Sequence, residues 1–266
     1  MKLTPVTGKH SIHLGDDDAR VRRKPLSGKA LDDATAEQVD RISDLQRVLY
    51  ADARFAVLIV LQGRDASGKD GTIRKVFTAV NPQGCSVTGF KAPTDLEQHH
   101  DFLWRIHQQV PPRGMIGIFN RSHYEDVLVP RVHGTIDKQE WMARYDQINE
   151  FEHMLTANCV VIMKFMLHIS RGEQKKRLTD RLTDAKKNWK FRLGDLDDRA
   201  KWDGFTKAYR GALSHTSTEW APWFVVPADD TDVRDFLVAR AIADRLGKLR
   251  LRYPRADPEI VGVKIE

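Results

Sequence analysis

Apolar residues recur along this chain at two alternating spacings. Val39, Ile42, Leu45 and Leu49 fall three to four apart behind Thr35 and Gln38, whose spacing reads as a capping box, so a helix is expected from residue 35 toward residue 51. Residues 55–61 are a short unbroken apolar run, the pattern of a parallel strand buried on both faces. A glycine-bounded loop follows, and residues 68–80 are expected to be helical.

The alternation continues. Residues 85–90 make a weak strand, and Thr94 with Glu97 caps a helix expected to reach about Gln109. Residues 115–119 read as another buried strand, ending in the turn Asn120-Arg121-Ser122. A long helix is predicted over 137–157, with Trp141, Tyr145, Ile148, Phe151 and Leu155 on its core face. Residues 159–169 are the most apolar segment and read as a strand; Ser170 with Glu173 caps the helix after it. A short strand over 223–226 and a helix over 233–246 close the pattern. Strands alternating with helices predict an α/β fold whose central parallel sheet is covered by helices on both faces. Residues 1–34 lack periodicity and read as an extended, partly mobile arm, and residues 35–266, without repeat or linker, as one domain.

Composition narrows the class. The chain has 266 residues, enough for one large α/β domain, and its 30% charged residues with ordinary apolar content mark a soluble, folded protein. Cys85 and Cys159 lie in apolar stretches without Cys-x-x-Cys spacing and are expected as buried thiols in a reducing compartment. The N-terminus lacks the apolar core of a signal peptide, and no apolar run approaches the roughly 18 residues of a membrane span, so a cytoplasmic protein is expected. Residues 171–210 hold 13 Lys or Arg against 7 Asp or Glu, a surplus equal to the whole net charge of +6. Such a block is either a solvated helix face or an electrostatic trap for a polyanion.

The loop decides between them. The stretch VLIVLQGRDASGKDG nearly spells Gly-x-x-x-x-Gly-Lys-[Ser/Thr], the phosphate-binding loop, with an apolar strand before it and a helix after it. Gly63, Ala66, Ser67, Gly68, Lys69 and Asp70 are therefore the candidate phosphate-binding residues. Asp70 stands where a hydroxyl normally holds the metal, and a second acid, Asp65, lies inside the loop. An unpaired acid repels phosphate, so Asp65 is expected to hold Mg2+, whose hard character suits carboxylate oxygen. Asp70, in the first helical turn, is expected to offset the helix dipole. P-loop kinases commonly end a second strand in a metal-binding Asp. Here that place is Asn120, which fits transfer of the metal ligand into the loop as Asp65. Arg121 suits a transition-state clamp, and Glu125 follows at a spacing that could direct it into the same cleft. Asp65, Lys69, Asn120, Arg121 and Glu125 make up the candidate catalytic set.

The stretches GRDASGKDG, FLWRIHQQVP, FNRSHYEDVLVPRV, HISRGEQKKRL, NWKF and APWFVVPAD resemble the polyphosphate kinase 2 family, a likeness that runs from about residue 35 onward. The resemblance implies a P-loop kinase-like three-layer fold with a basic helical lid at about 171–210. It implies reversible transfer of the terminal phosphoryl group of inorganic polyphosphate to AMP and ADP, giving ADP and ATP, with Mg2+. Gly63, Asp65, Gly68 and Lys69 match the family's Walker A motif, Asn120 and Arg121 its second motif, and Arg177, Arg181, Lys186, Lys187 and Lys190 its lid. Asn120 with Glu125 resembles the class three subgroup, which accepts both AMP and ADP. The expected partners are polyphosphate, adenine nucleotides with guanine nucleotides as a further candidate, and further copies of the chain in a dimer or tetramer, with no nucleic acid and no membrane.

Other readings explain less. An ATP-dependent nucleoside monophosphate kinase is the alternative, against which Asp70 in place of the metal-holding hydroxyl counts. A GTPase switch would carry Asn-Lys-x-Asp, which is absent from the sequence. Nucleic-acid binding through the basic block would leave the loop and Asp65 unexplained. Trp189, Phe191 and Trp202 are expected to pack within the lid rather than stack on a base. His99, His100, His107, His123 and His133 offer no zinc pairing and are expected in surface or packing roles.

Overall fold

The computed structural model describes residues 2–8, 12–21, 24, 26–260, 262–263 and 265. In chain order its helices and strands are α1 (Lys29–Asp52), β1 (Ala56–Gln62), α2 (Lys69–Val76), β2 (Cys85–Gly89), α3 (Asp95–Gln98), α4 (Trp104–His107), β3 (Ile116–Asn120), α5 (Glu125–His133), α6 (Lys138–Ala157), β4 (Val160–His168), α7 (Arg171–Thr183), α8 (Gly194–Ala200), α9 (Trp202–Thr216), β5 (Trp223–Pro227) and α10 (Thr231–Gly247).

The strands pair in the order β2-β3-β1-β4-β5, every pair parallel. β1 is central and buried at all seven positions, which explains its unbroken apolar run. Alternate residues serve opposite layers: Ala56, Leu58 and Val60 join the core beneath α5, α6 and α9, while Val57, Ile59 and Leu61 join that beneath α1, α2 and α10. Three layers result. In such a sheet, ligands bind at the carboxyl ends of the strands, where the loops after β1, β3, β4 and β5 converge.

Several boundaries differ from the sequence expectation for identifiable reasons. Helix α1 starts at Lys29, not at Thr35, whose hydroxyl donates to the Leu31 carbonyl at 2.7 Å from inside the helix. A hydroxyl that bonds back one turn has the same spacing in sequence as a cap. The Thr94–Glu97 box does form, at 2.7 and 3.3 Å. The single helix expected to reach Gln109 is instead two short ones, α3 and α4, separated where Asp101 accepts the Leu103 amide at 3.0 Å. Helix α2 ends at Val76, short of residue 80. No helix was expected over α5, whose pattern is obscured by Pro130, nor over the part of α9 beyond the lid's expected end at about residue 210. Cys85 and Cys159 are free and only half-buried; partial burial still raises the Cys85 thiol to about 11.

The N-terminal residues are tied to the sheet. Val6, Ile12 and Leu14 are buried in the core, and the Val6 amide donates to the Trp223 carbonyl on the edge strand β5 at 2.8 Å. Asp16 accepts the Arg171 amide at 2.9 Å, capping the start of α7. No helix among the described residues is long and apolar enough to cross a membrane.

Candidate active site

The loop after β1 can only turn as it does through its glycines. Gly63 lies at φ 155°, and a Cβ there would stand 2.6 Å from Ser67 Oγ and 2.7 Å from the Leu167 carbonyl. Gly68 lies at φ 102°, where a Cβ would collide with the Arg234 guanidinium. The carbonyls of the loop are drawn away from its cradle. Gln174 donates to the Asp65 carbonyl at 3.1 Å, Arg177 to those of Ala66 and Ser67 at 3.0 and 3.3 Å, and Arg234 to that of Ser67 at 3.4 Å. The first-turn amides of α2, unpaired as at any helix start, are left for an anion. Lys69 lies back over the loop, its Nζ donating to the carbonyls of Gly63 at 2.7 Å and Arg64 at 3.3 Å. Burial, helped by the neighbouring Arg121, lowers its pKa to about 8.

The end of β3 brings the second half of the site. Arg121, at φ 64°, donates through Nη2 to Asp65 Oδ1 at 2.6 Å and through Nη1 to Glu125 Oε2 at 3.4 Å. Gln62, at the end of β1, donates its amide to Glu125 Oε1 at 2.9 Å and accepts the Ser122 amide at 3.0 Å. Burial raises the pKa of Glu125 against the pull of Arg121 and Lys69. The four residues Asp65, Lys69, Arg121 and Glu125 thus form one charged group at the carboxyl edge of the central strand.

Asp70 lies in the first turn of α2, where a negative charge is favoured, and its hydrogen bonds reach beyond the helix. Its Oδ1 accepts Asn120 Nδ2 at 2.8 Å and its Oδ2 accepts Lys190 Nζ at 3.3 Å. Burial works against its charge, yet these two partners hold its pKa below the usual carboxylate range. The expected lid residues divide. Lys190 reaches the loop, whereas Lys187 pairs with Asp184 at 3.0 Å and Lys186 is exposed. Arg181 donates to Asp195 at 3.2 Å. Arg177 commits its remaining donors to Glu173 at 2.9 Å and to the carbonyls of Ala228 and Asp229, both at 2.8 Å, so it braces the loop from behind. Trp202 packs as expected, but Trp189 is 76% exposed and packs in no core.

Three features went unnoticed in the sequence. Arg64 stacks on Trp202 at 3.8 Å and donates to the Trp202 carbonyl at 3.0 Å, locking the loop to α9. Gln174 and Arg234 hold loop carbonyls, as described. The third is a buried ionic network behind Arg121: Lys164 Nζ donates to Glu152 Oε2 at 2.5 Å, to the Tyr124 hydroxyl at 2.8 Å and to the Thr216 carbonyl at 2.7 Å. Glu152 Oε1 accepts the Tyr124 hydroxyl at 2.9 Å and lies 3.2 Å from His123 Nε2, so this histidine is no surface group. The lone lysine in the apolar segment VVIMKFMLH was the available signal.

An anion cradle closed by a lysine and an arginine, at the carboxyl edge of a parallel sheet, is the machinery of P-loop phosphoryl transfer. Comparison narrows the class. Residues 26–252 match the model of the family described as Polyphosphate kinase 2 (PPK2), and the chain belongs to that family. It is 51% identical over 225 residues, 85% of this chain and 84% of the other, to an AMP/ADP-polyphosphate phosphotransferase of Meiothermus ruber. It is 46% identical over 233 residues, 83% and 81% of the two chains, to an ADP-polyphosphate phosphotransferase of Rhodopseudomonas palustris. Among solved structures it superposes on Polyphosphate Kinase 2 from Arthrobacter aurescens TC1 with a TM-score of 0.85 and 43% identity, covering 96% and 95% of the two chains.

Proposed function

We propose that this chain transfers the terminal phosphoryl group of inorganic polyphosphate to AMP and ADP, giving ADP and ATP, in a reversible reaction. The observation that carries the reading is its 51% identity to the AMP/ADP-polyphosphate phosphotransferase, over 85% of a chain whose own loop gathers Asp65, Lys69, Arg121 and Glu125. Little covalent chemistry is required of the protein, so positioning and electrostatics carry the reaction. The loop amides and Lys69 hold the transferring group, and Arg121 offsets charge on its oxygens. Asn120 and Glu125 flank the acceptor and admit AMP as well as ADP. Lys190, with Arg181 and the exposed Lys186 and Lys187, forms the polyanion-facing lid.

The donor set suits Mg2+. Asp65 Oδ2 accepts no hydrogen bond among the described residues, and no three His, Cys, Asp or Glu there converge as a metal cage. One carboxylate with phosphate oxygens and water is how magnesium is usually held, and Asp65 is the ligand assigned here. When bound, Mg2+ neutralises charge on the reacting phosphates. The acceptors are adenine nucleotides, with guanine nucleotides as further candidates; a Pseudomonas aeruginosa relative, 34% identical, is a GDP-polyphosphate phosphotransferase. The same reading includes a cytoplasmic homo-oligomer, dimer or tetramer. The test is to incubate the protein with AMP, Mg2+ and either long-chain polyphosphate or ATP, and to resolve the nucleotides. Polyphosphate should yield ADP and then ATP. Phosphorylation of AMP by ATP but not by polyphosphate would replace this reading with the monophosphate kinase.

A further inference from the structure

Helix α7 supplies Gln174 and Arg177, which hold loop carbonyls back, so the seat of its first turn decides where those carbonyls point. That turn is gripped from outside the helix. Asp229, just beyond β5, accepts the Ser170 amide at 2.8 Å with Oδ1 and the Ser170 hydroxyl at 2.7 Å with Oδ2. One carboxylate thus fixes the capping residue of α7 at two points, while the Ser170 hydroxyl oxygen accepts the Glu173 amide at 3.2 Å. The Asp229 side chain is only 8% exposed. Its charge faces the positive start of a 13-residue helix and is matched by Arg20, whose Nε donates to Oδ2 at 2.8 Å. The backbone of the same residue joins in: its carbonyl accepts Arg177 Nη2 at 2.8 Å, and its amide donates to the Ala19 carbonyl at 3.1 Å. The N-terminal turn that carries Ala19 is itself seated, its Gly15 carbonyl accepting His168 Nε2 at 2.8 Å at the end of β4.

We infer that Asp229 is a positioning residue for phosphoryl transfer: through Ser170 it sets the seat of α7, and through Gln174 and Arg177 the direction of the carbonyls of Asp65, Ala66 and Ser67. This role rests on the proposed reaction. A carbonyl turned toward the cradle would set its negative end against a phosphate oxygen, and the Asp65 side chain would move with its own backbone. Small displacements suffice, since a misplacement of about 1 Å away from the chemistry can cost about a hundredfold in rate. Capping alone does not call for the acid, because Ser170 already caps α7 through the Glu173 amide. What the carboxylate adds is a fixed position for that cap.

The test separates positioning from stability. With AMP and long-chain polyphosphate, kcat and the KM for AMP would be measured in the wild type, Asp229→Ala, Asp229→Asn, Gln174→Leu and Asp229→Ala/Gln174→Leu, together with Tm and amide hydrogen exchange over residues 171–177. In Asp229→Ala kcat should fall roughly tenfold with the KM for AMP changed less than about twofold, because Asn120 and Glu125 on the acceptor side keep their contacts. Exchange over the first turns of α7 should speed up in the same variant. Asp229→Asn keeps the shape but has one acceptor oxygen where two are used, so its kcat should fall about threefold. The double variant should be no more than about twofold slower than Asp229→Ala alone, since both changes release the same carbonyls. A wild-type kcat in Asp229→Ala with a lowered Tm overturns the inference, as do rate losses that multiply in the double variant. Should the Ala variant not fold, a wild-type kcat in Asp229→Asn overturns it equally. A wild type that takes phosphoryl from no polyphosphate sinks the donor reading instead, and exchange over residues 171–177 would still report whether Asp229 seats α7.

Discussion

Two groups of charged side chains lie on either side of the segment between Arg121 and Glu125, and they differ in how far their bonding capacity is used. In the inner group Lys164 has three acceptors for its three protons, and Glu152 receives the lysine, Tyr124 and His123. Both are at most 1% exposed. In the outer group Lys69 reaches only carbonyls, and Asp65 leaves one oxygen without a partner among the described residues. The inner charges answer to each other. The outer charges retain capacity for a ligand, and that difference separates a structural cluster from a reactive one.

The comparison is broken most severely at Asp65. Removing its charge should leave the fold intact while taking away the carboxylate proposed to hold Mg2+. Loss of a principal metal contact is expected to raise the barrier by about 4 kcal/mol, so kcat of Asp65→Asn should fall by roughly three orders of magnitude. Its Tm should stay near that of the wild type, and high Mg2+ should rescue it only in part. A near-normal kcat across a Mg2+ titration would move the metal to another carboxylate.

The inner group should respond in the opposite currency. Glu152→Ala strands Lys164 as a buried charge and should cost about 3–5 kcal/mol of stability. Replacing both partners by apolar residues, Glu152→Leu/Lys164→Met, should recover most of that loss. Denaturant melts of the two variants measure it; a double variant no more stable than the single one would mean that the ion pair is not the reason.

These two groups were unequally legible in the sequence. The loop was readable because glycine conformations and a strand-to-helix turn are local requirements, written in adjacent residues. The pairing of Asp70 with Asn120 and Lys190 was not, since it joins residues 50 and 120 positions apart. Position alone favoured the dipole of α2. Arg177 was expected among the lid residues, and only the fold shows it turned onto the carbonyls of Ala66, Ser67, Ala228 and Asp229. The lone Lys164 in β4 did signal a buried partner, but not that Glu152 would supply it.

Lys69 sharpens the contrast through pH. Its folded pKa of about 8 lies below the unbound value of 10.5, mainly because burial disfavours its charge. Between those values the unfolded chain holds more protons, so the contribution of this lysine to stability rises with pH from about 8 to 10.5. Activity should move the other way. Phosphate binding needs the ammonium, so kcat/KM should fall about tenfold per unit above that pKa. Profiles of kcat/KM and of Tm from neutral pH upward, with Lys69→Met as reference for Tm, check both signs. A rate flat through this range would show that the lysine stays charged in the free protein.

The smallest effect is expected at Asp70, although the residue stands where a P-loop usually holds metal. Its side chain is 64% exposed in the ion pair with Lys190, and exposed pairs contribute only about 0.2–1 kcal/mol. Asn120 donates to its other oxygen, so Asp70→Ser removes one contact to the acceptor side and one to the lid, and it touches neither Lys69 nor Arg121 directly. Serine also restores the hydroxyl that metal-binding loops normally carry. kcat should therefore fall by less than about tenfold, equivalent to under 1.4 kcal/mol. The loss should be accompanied by a changed KM for polyphosphate, because Lys190 is released from the carboxylate that positions it. Measured beside Asp65→Asn under one Mg2+ titration, the two carboxylates should differ by at least about a hundredfold in kcat. Equal losses would mean that the uncommitted oxygen of Asp65 does not mark the functional acid.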